Sequence, residues 1–179
     1  NCIAKGSLIY TPSSALAGDS QIGGLVGNNR GGVIDNCTNE ADVTMGDNGE
    51  TNSGQFSLGG SIGRTQKGGD LSTQGEITSC TNNGAVTCNA KFSENAYIGG
   101  VLGYQVDKKE YISGCVNNGL VKVTSTFSTA KALQLGGVVG MGKGLIESCT
   151  NGTNGAVTSE EGSTAGTYIC QGGVVGRLN

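Results

Sequence analysis

The sequence predicts an all-β chain, a right-handed parallel β-helix of about five coils with three short strands per coil. Three observations predict it. First, the word "IGGLVG" at residues 22–27 returns as "LGGSIG" from 58, "IGGVLG" from 98, "LGGVVG" from 135 and "QGGVVG" from 171. Second, the apolar stretches are short, rich in Val and Ile, and bounded by Gly, Asn, Asp and Ser, which is the signature of strands. Third, no segment keeps a helical 3.6 period. The 34 glycines would each cost a helix interior about 1 kcal/mol.

The first element is the double-glycine word. Gly23, Gly59, Gly99, Gly136 and Gly172 stand 36, 40, 37 and 36 residues apart, and another glycine follows each four residues later. Read as one continuous strand, alternation puts Ile22, Gly24 and Val26 on one face and Gly23, Leu25 and Gly27 on the other. The second glycine of each pair is then expected to face a narrow lumen beside stacked Ile or Leu. The flanking glycines are expected to supply corners with positive φ.

The second element centres on Ile34, Ile77, Ile112 and Ile146, each three positions before a cysteine. The third is the Val-Thr word that ends "NCTNEADVT" from 36 and "SCTNNGAVT" from 79, with "GCVNNGLVK" from 114 in the same place. A unit of this size cannot bury its own apolar face, but stacked copies can. At about 4.8 Å per coil, five coils rise roughly 24 Å. The right-handed rule for parallel crossovers sets the expected hand. Residues 1–179 are expected to form one β-solenoid domain, a segment of a longer array. The chain opens inside a repeat at "NCIAKG" and stops at "GGVVGRLN", before the next Ile-x-x-Cys word.

Cys2, Cys37, Cys80, Cys115 and Cys149 share one column. Stacked in parallel, their side chains point the same way, which resists disulfide geometry even at a suitable Cα spacing. They are expected to form a ladder of buried, unbridged thiols. Cys88 shares the inward face of Val86, and Cys170 takes an outward position that makes it the expected reactive thiol. Asn39, Asn82, Asn117 and Asn151 share a second column, two residues after the cysteine. Stacked asparagines pass amide hydrogen bonds along a stack and tolerate left-handed backbone. "GDNGETN", residues 46–52, offers Asp47, Glu50 and Asn52 as oxygen ligands, but it matches neither calcium-loop pattern and reads as a hydrated loop.

No histidine is present, so Ser-His and Cys-His pairs are excluded, and no Cys-x-x-Cys marks a zinc site. The acids Asp19, Asp35, Asp42, Asp70, Asp107 and Glu147 fall in different columns. No catalytic, cofactor-binding or metal-ligating residue is therefore assigned, and no cofactor is expected. The glycine words lack the Gly-Lys-Ser/Thr of a phosphate loop. A net charge of −3 gives no electrostatic footprint for nucleic acid, and no run of 18 apolar residues spans a membrane. Thr44, Thr87 and Thr158 align, but Ile9 and Lys122 interrupt the column, so no flat threonine face for ice forms.

"GGLVG" followed by "IDNCTN" resembles the GLUG-motif repeats of large bacterial surface and secreted proteins, among them regions of IgA-specific metallopeptidases and of gut Bacteroidetes cell-surface proteins. The resemblance runs through all five copies. It departs at Ser61, Gln171 and Ala41, and in the long loops 45–57 and 64–76. It implies a non-enzymatic extracellular module, structural or adhesive: a stalk, adhesin or filament-forming segment whose recognition lies in inter-strand loops. Its expected partners are neighbouring repeats or copies of itself end to end, with host or matrix glycans or proteins beyond them. The alternative is a carbohydrate-binding or carbohydrate-active β-helix of the polysaccharide lyase or hydrolase kind.

Overall fold

The computed structural model describes residues 1–68, 75–124, 126–127, 131–160, 162–163 and 168–179. Asp70 and much of the 64–76 loop lie outside the described residues. Within them the chain is all-β and winds as a parallel solenoid. Four complete turns are flanked by a partial turn at each end.

Each complete turn contributes one strand to each of six sheets. Sheet I stacks Ser20–Gly23, Phe56–Gly59, Ala96–Gly99, Ala132–Gly136 and Tyr168–Gly172. Sheet II stacks Val26–Arg30, Ile62–Gln66, Leu102–Gln105, Val139–Gly142 and Val175–Leu178. Sheet III follows with Val33–Asp35, Glu76–Thr78, Tyr111–Ser113 and Leu145–Glu147. Sheet IV is built of two-residue strands, from Ile3–Ala4 and Thr38–Asn39 to Thr150–Asn151. Sheet V takes the Val-Thr words, from Ser7–Tyr10 and Asp42–Met45 to Val157–Ser159. Sheet VI holds Thr51–Asn52, Lys91–Phe92, Thr126–Phe127 and Gly162–Ser163. The three apolar words thus all become strands. The double-glycine word becomes two strands, and the two-residue pairings of sheets IV and VI raise three to six.

The register follows the sequence words. Ile34, Ile77, Ile112 and Ile146 pair in turn, as do Asn39, Asn82, Asn117 and Asn151. Ile9, Thr44, Thr87, Lys122 and Thr158 form the interrupted threonine column.

The interior holds two apolar columns. One gathers Val43, Met45, Phe56, Leu58, Val86, Cys88, Phe92, Ile98 and Leu135 from sheets I, V and VI, with Phe56 and Phe92 stacked at 4.8 Å. The other gathers Ile62, Ile77, Cys80, Val101, Leu102, Ile112, Cys115, Val138 and Val139. At roughly 25 cal/mol per Å² of apolar surface removed from water, these columns supply the main stabilisation of a chain with few aromatics.

The simple alternation expected of "IGGLVG" does not hold. Val101 and Leu102 are adjacent and both fully buried, as are Val138 and Val139. The backbone bends between sheets I and II, so the two strands have independent parity and both aliphatic positions turn inward. The glycines also act differently from expectation. Positive φ occurs at Gly6, Gly31, Gly49 and Gly114, and at Asn36, Ser79 and Ser148, with no described glycine of the double-glycine words among them. Those glycines, Gly173 apart, are required by contact. A Cβ on Gly63 would lie 2.6 Å from the backbone N of Ile22, and one on Gly103 would lie 2.7 Å from the N of Leu58. Sheets I and II therefore meet backbone to backbone beside their bend.

Candidate functional site

The asparagine column is the most continuous polar feature of the interior. Nδ2 of Asn39 donates to Oδ1 of Asn82, Asn82 to Asn117, and Asn117 to Asn151, each at 2.8 Å. The second amide hydrogen of each goes to a carbonyl further along its own turn: Ala41 O at 2.7 Å, Gly84 O and Gly119 O at 2.8 Å, and Gly155 O. Asn39, Asn82 and Asn117 are fully buried. The second glycine of the first four pairs faces this ladder rather than stacked Ile or Leu. A Cβ on Gly24 or Gly60 would collide with the side chain of Asn39 or Asn82. Left-handed backbone belongs to the position before the cysteine, at Asn36, Ser79, Gly114 and Ser148, and not to the ladder.

All seven cysteines are free; Cys37, Cys80, Cys88 and Cys115 are buried, Cys149 and Cys170 are half-buried, and Cys2 is exposed. In the column, Sγ of Cys37 donates to Asp35 O and Sγ of Cys80 to Thr78 O, both at 3.3 Å. Hydrogen bonding to Cys149 and Cys80, with burial, pushes the Cys115 thiol well up. The same bonds from Cys115 bring Cys80 and Cys149 down to about 7.

The "GDNGETN" groups do not converge. Asp47 Oδ1 accepts from Gly49 N at 2.9 Å, and its other oxygen lies 3.8 Å from Lys91 Nζ. Asn52 is buried, accepting from Leu16 N at 2.8 Å and donating to Lys91 O at 3.0 Å. The acids stay apart as well: Asp35 accepts from the Thr78 hydroxyl at 2.6 Å, and Glu147 from the Tyr111 hydroxyl. Glu110, which flanks the Lys108-Lys109 pair expected at a solvated loop tip, is instead the one buried carboxyl among the described residues. It accepts from Thr65 Oγ1 at 3.2 Å and Asp107 N at 3.1 Å. Desolvation pushes its pKa up.

A second feature was not legible in the sequence. Beyond their glycine contact, sheets I and II share a third cluster of buried side chains, Tyr97, Tyr104 and Met141, with Val106 packed against it. Three contacts join the two sheets on this side. Arg64 of sheet II reaches Asp19, just before sheet I, at 3.6 Å. Tyr97 of sheet I packs on Tyr104 of sheet II with centroids 4.3 Å apart. Arg177 lies over the Tyr168 ring at 6.0 Å. Arg64 and Lys143 both lie over the Tyr104 ring, at 5.6 and 5.5 Å. Burial, then the neighbouring Tyr104 hydroxyl, pushes Tyr97 up to about 12. Gln134, the register partner of Tyr97 on the next turn, is 2% exposed, and its Oε1 has no hydrogen-bond partner among the described residues; neither does Nε of Arg64. The signal available in sequence was the tyrosine on each side of "IGGVLG", at 97 and 104.

Residues 18–44 match the family model of the GLUG motif. That span runs from just before the first strand of sheet I to the Val-Thr strand of sheet V, nearly one turn. No curated protein matches the chain, and no solved structure does.

Proposed function

We propose that this chain is a non-enzymatic extracellular repeat module with a structural or adhesive role. The observation that carries the reading is the hydrogen-bond chain Asn39–Asn82–Asn117–Asn151. The polar residue that recurs in these turns is spent on joining each turn to the next, so the repeated chemistry serves the stack. The extracellular placement rests on the sequence resemblance, and the GLUG-motif match at 18–44 agrees with a repeat module.

Neighbouring repeats, or another copy of the chain, are the proposed partners at the two ends. Leu8 and Tyr10, register partners of the buried Val43 and Met45, are exposed at one end, and Ile169, register partner of the buried Leu133, at the other. Near Asn1, a cavity of about 390 Å³ lined by Leu25, Val26, Ile34 and Cys37 leaves the second apolar column open. Stacked turns cover such surface through backbone pairing and burial.

Incubation with a panel of acidic and neutral polysaccharides tests the reading. No release of reducing ends or of unsaturated uronate products is expected. Turnover that disappears on substitution of Glu110 or of any acid on sheet III would replace it with the carbohydrate-active alternative.

A further inference from the structure

We infer that Cys115 and Cys149, stacked on consecutive turns, hold a soft monovalent metal ion, copper(I), in linear two-coordinate geometry between their sulfurs. The inference stands apart from the adhesive reading, since it concerns the interior of the stack and not its ends.

The first observation is how the sulfurs are stacked. The cysteine rungs are neighbours in the ladder: Thr81 N donates to Cys37 O, Val116 N to Cys80 O and Thr150 N to Cys115 O, each at 2.9 Å. The side chains repeat one pose. Sγ of Cys80 lies 3.3 Å from Thr78 O on its own turn and 3.5 Å from Ile34 O on the turn before. Sγ of Cys115 lies 3.5 Å from Ser113 O and 3.7 Å from Ile77 O, the same two places one turn on. Sulfurs that repeat with the turn are separated by the turn spacing, about 4.8 Å. A disulfide needs about 2.05 Å, so the stack would have to close by more than half to make one. Two collinear metal–thiolate bonds of about 2.3 Å each span about 4.6 Å, which the turn spacing already provides. The parallel side chains that resist a bridge suit an ion placed midway between them.

The second observation is the proton between the sulfurs. The Cys115 thiol is the donor in its contacts with Cys149 and Cys80; those bonds, with burial, push it well up and bring both neighbours down to about 7. The ion takes the place of that proton. Cys115 gives its proton to solvent, its sulfur and the Cys149 thiolate each donate an electron pair to the ion, and nothing is oxidised or reduced. One positive charge enters as another leaves. A monovalent ion therefore adds no charge to an interior where unpaired charge is costly.

The third observation is the surroundings. Cys115 belongs to the apolar column of Ile77, Ile112, Val138 and Val139, with Cys149 packed against it. Thiolate ligands select soft ions such as copper(I). Among the described residues no three His, Cys, Asp or Glu side chains group as ligands of one ion. The four ligands of structural zinc and the oxygen cage of calcium are thus not supplied there, whereas a two-coordinate ion needs only the stacked pair. Cys149 is half-buried, which gives the ion a way in.

The test titrates the whole reduced chain, under nitrogen, with copper(I) buffered by bicinchoninate, and reads the coordination by X-ray absorption. The bound copper should have two sulfur neighbours and should shield Cys149 from alkylation. Affinity should rise roughly tenfold per pH unit above neutrality, one proton being displaced per ion. Cys115→Ser and Cys149→Ser should each weaken binding by more than the roughly tenfold typical of losing an outer partner of a metal ligand. Cys2→Ser and Cys170→Ser, which remove thiols outside the pair, should bind as the parent does. Cys149 is half-buried, so its variant remains a test if Cys115→Ser misfolds. Equal affinity of the parent and Cys149→Ser, an equal loss in Cys170→Ser, three or more ligands at the copper, or equal competition by zinc(II) would each overturn the inference.

Discussion

The side-chain amide of Asn82 joins three turns: it accepts from Asn39 and donates to Asn117, both at 2.8 Å, while its second hydrogen closes on Gly84 O. With no exposed surface, none of these groups has water to fall back on. Asn82→Ala strands an amide hydrogen on Asn39 and the Gly84 carbonyl, and leaves Asn117 Oδ1 with its 3.3 Å bond from Gly119 N alone. At about 1–3 kcal/mol for each buried group left unpaired, the loss should be about 3–5 kcal/mol. Asn83→Ala removes an exposed contact to Asn118 and should stay within about 0.5 kcal/mol. Urea unfolding of the two variants checks the contrast, and equal midpoints would show that the ladder is incidental.

The thiols should separate by position. Denatured protein without reductant should yield seven free thiols, since all are unbridged. In the native state Cys2, Cys149 and Cys170 should be alkylated first, and Cys37, Cys80, Cys88 and Cys115 should be protected by burial. Cys149, half-buried and lowered to about 7 by its bond from Cys115, should gain reactivity as pH rises through neutrality. Cys115, pushed up by burial and its neighbours, should react last. Peptide mass mapping reads the order; early labelling of Cys115 would contradict the stacked column.

Glu110 should impose a pH dependence of known sign. Its pKa is raised by desolvation, so the folded state holds its proton more tightly than the unfolded chain does. Its stabilising contribution is fully present below the ordinary carboxyl value of 4.5. It is lost as pH rises through the raised folded value. The melting temperature of Glu110→Gln minus that of the parent should therefore increase as pH rises from about 4. Other titrating groups are common to both proteins and cancel. A difference that is flat or falls with pH would show that the carboxylate is stabilised where it sits.

Much of this architecture was legible in the sequence, because a stacked repeat must place the same residue type at the same register. The isoleucine, cysteine and asparagine columns read by eye are the columns that pair. What was not legible came from the bend at the double glycine. Treating "IGGVLG" as one strand forced Val101 and Leu102 to opposite faces, whereas two strands meeting at a bend bury both. The same bend sets Gly100 against the Asn117 side chain, a contact between words 17 residues apart that no local pattern reveals. The tyrosine cluster was hidden for a related reason. Its rings come from strands on both sides of the bend, and the column of Gln21, Ser57, Tyr97 and Gln134 does not repeat.

The central claim is that the double glycines are demanded by the neighbouring turn, and one pair of variants tests it most directly. Gly137 and Gly173 hold the same place in consecutive words. A Cβ on Gly137 would collide with Gly173 O and the Asn151 side chain, while a Cβ on Gly173 meets nothing within 4 Å. Neither has positive φ, so conformational preference does not distinguish them. Gly137→Ala should destabilise by more than about 3 kcal/mol, through backbone displacement in a packed interior. Gly173→Ala should stay within about 0.5 kcal/mol. Equal effects of the two alanines on the unfolding free energy would contradict the account.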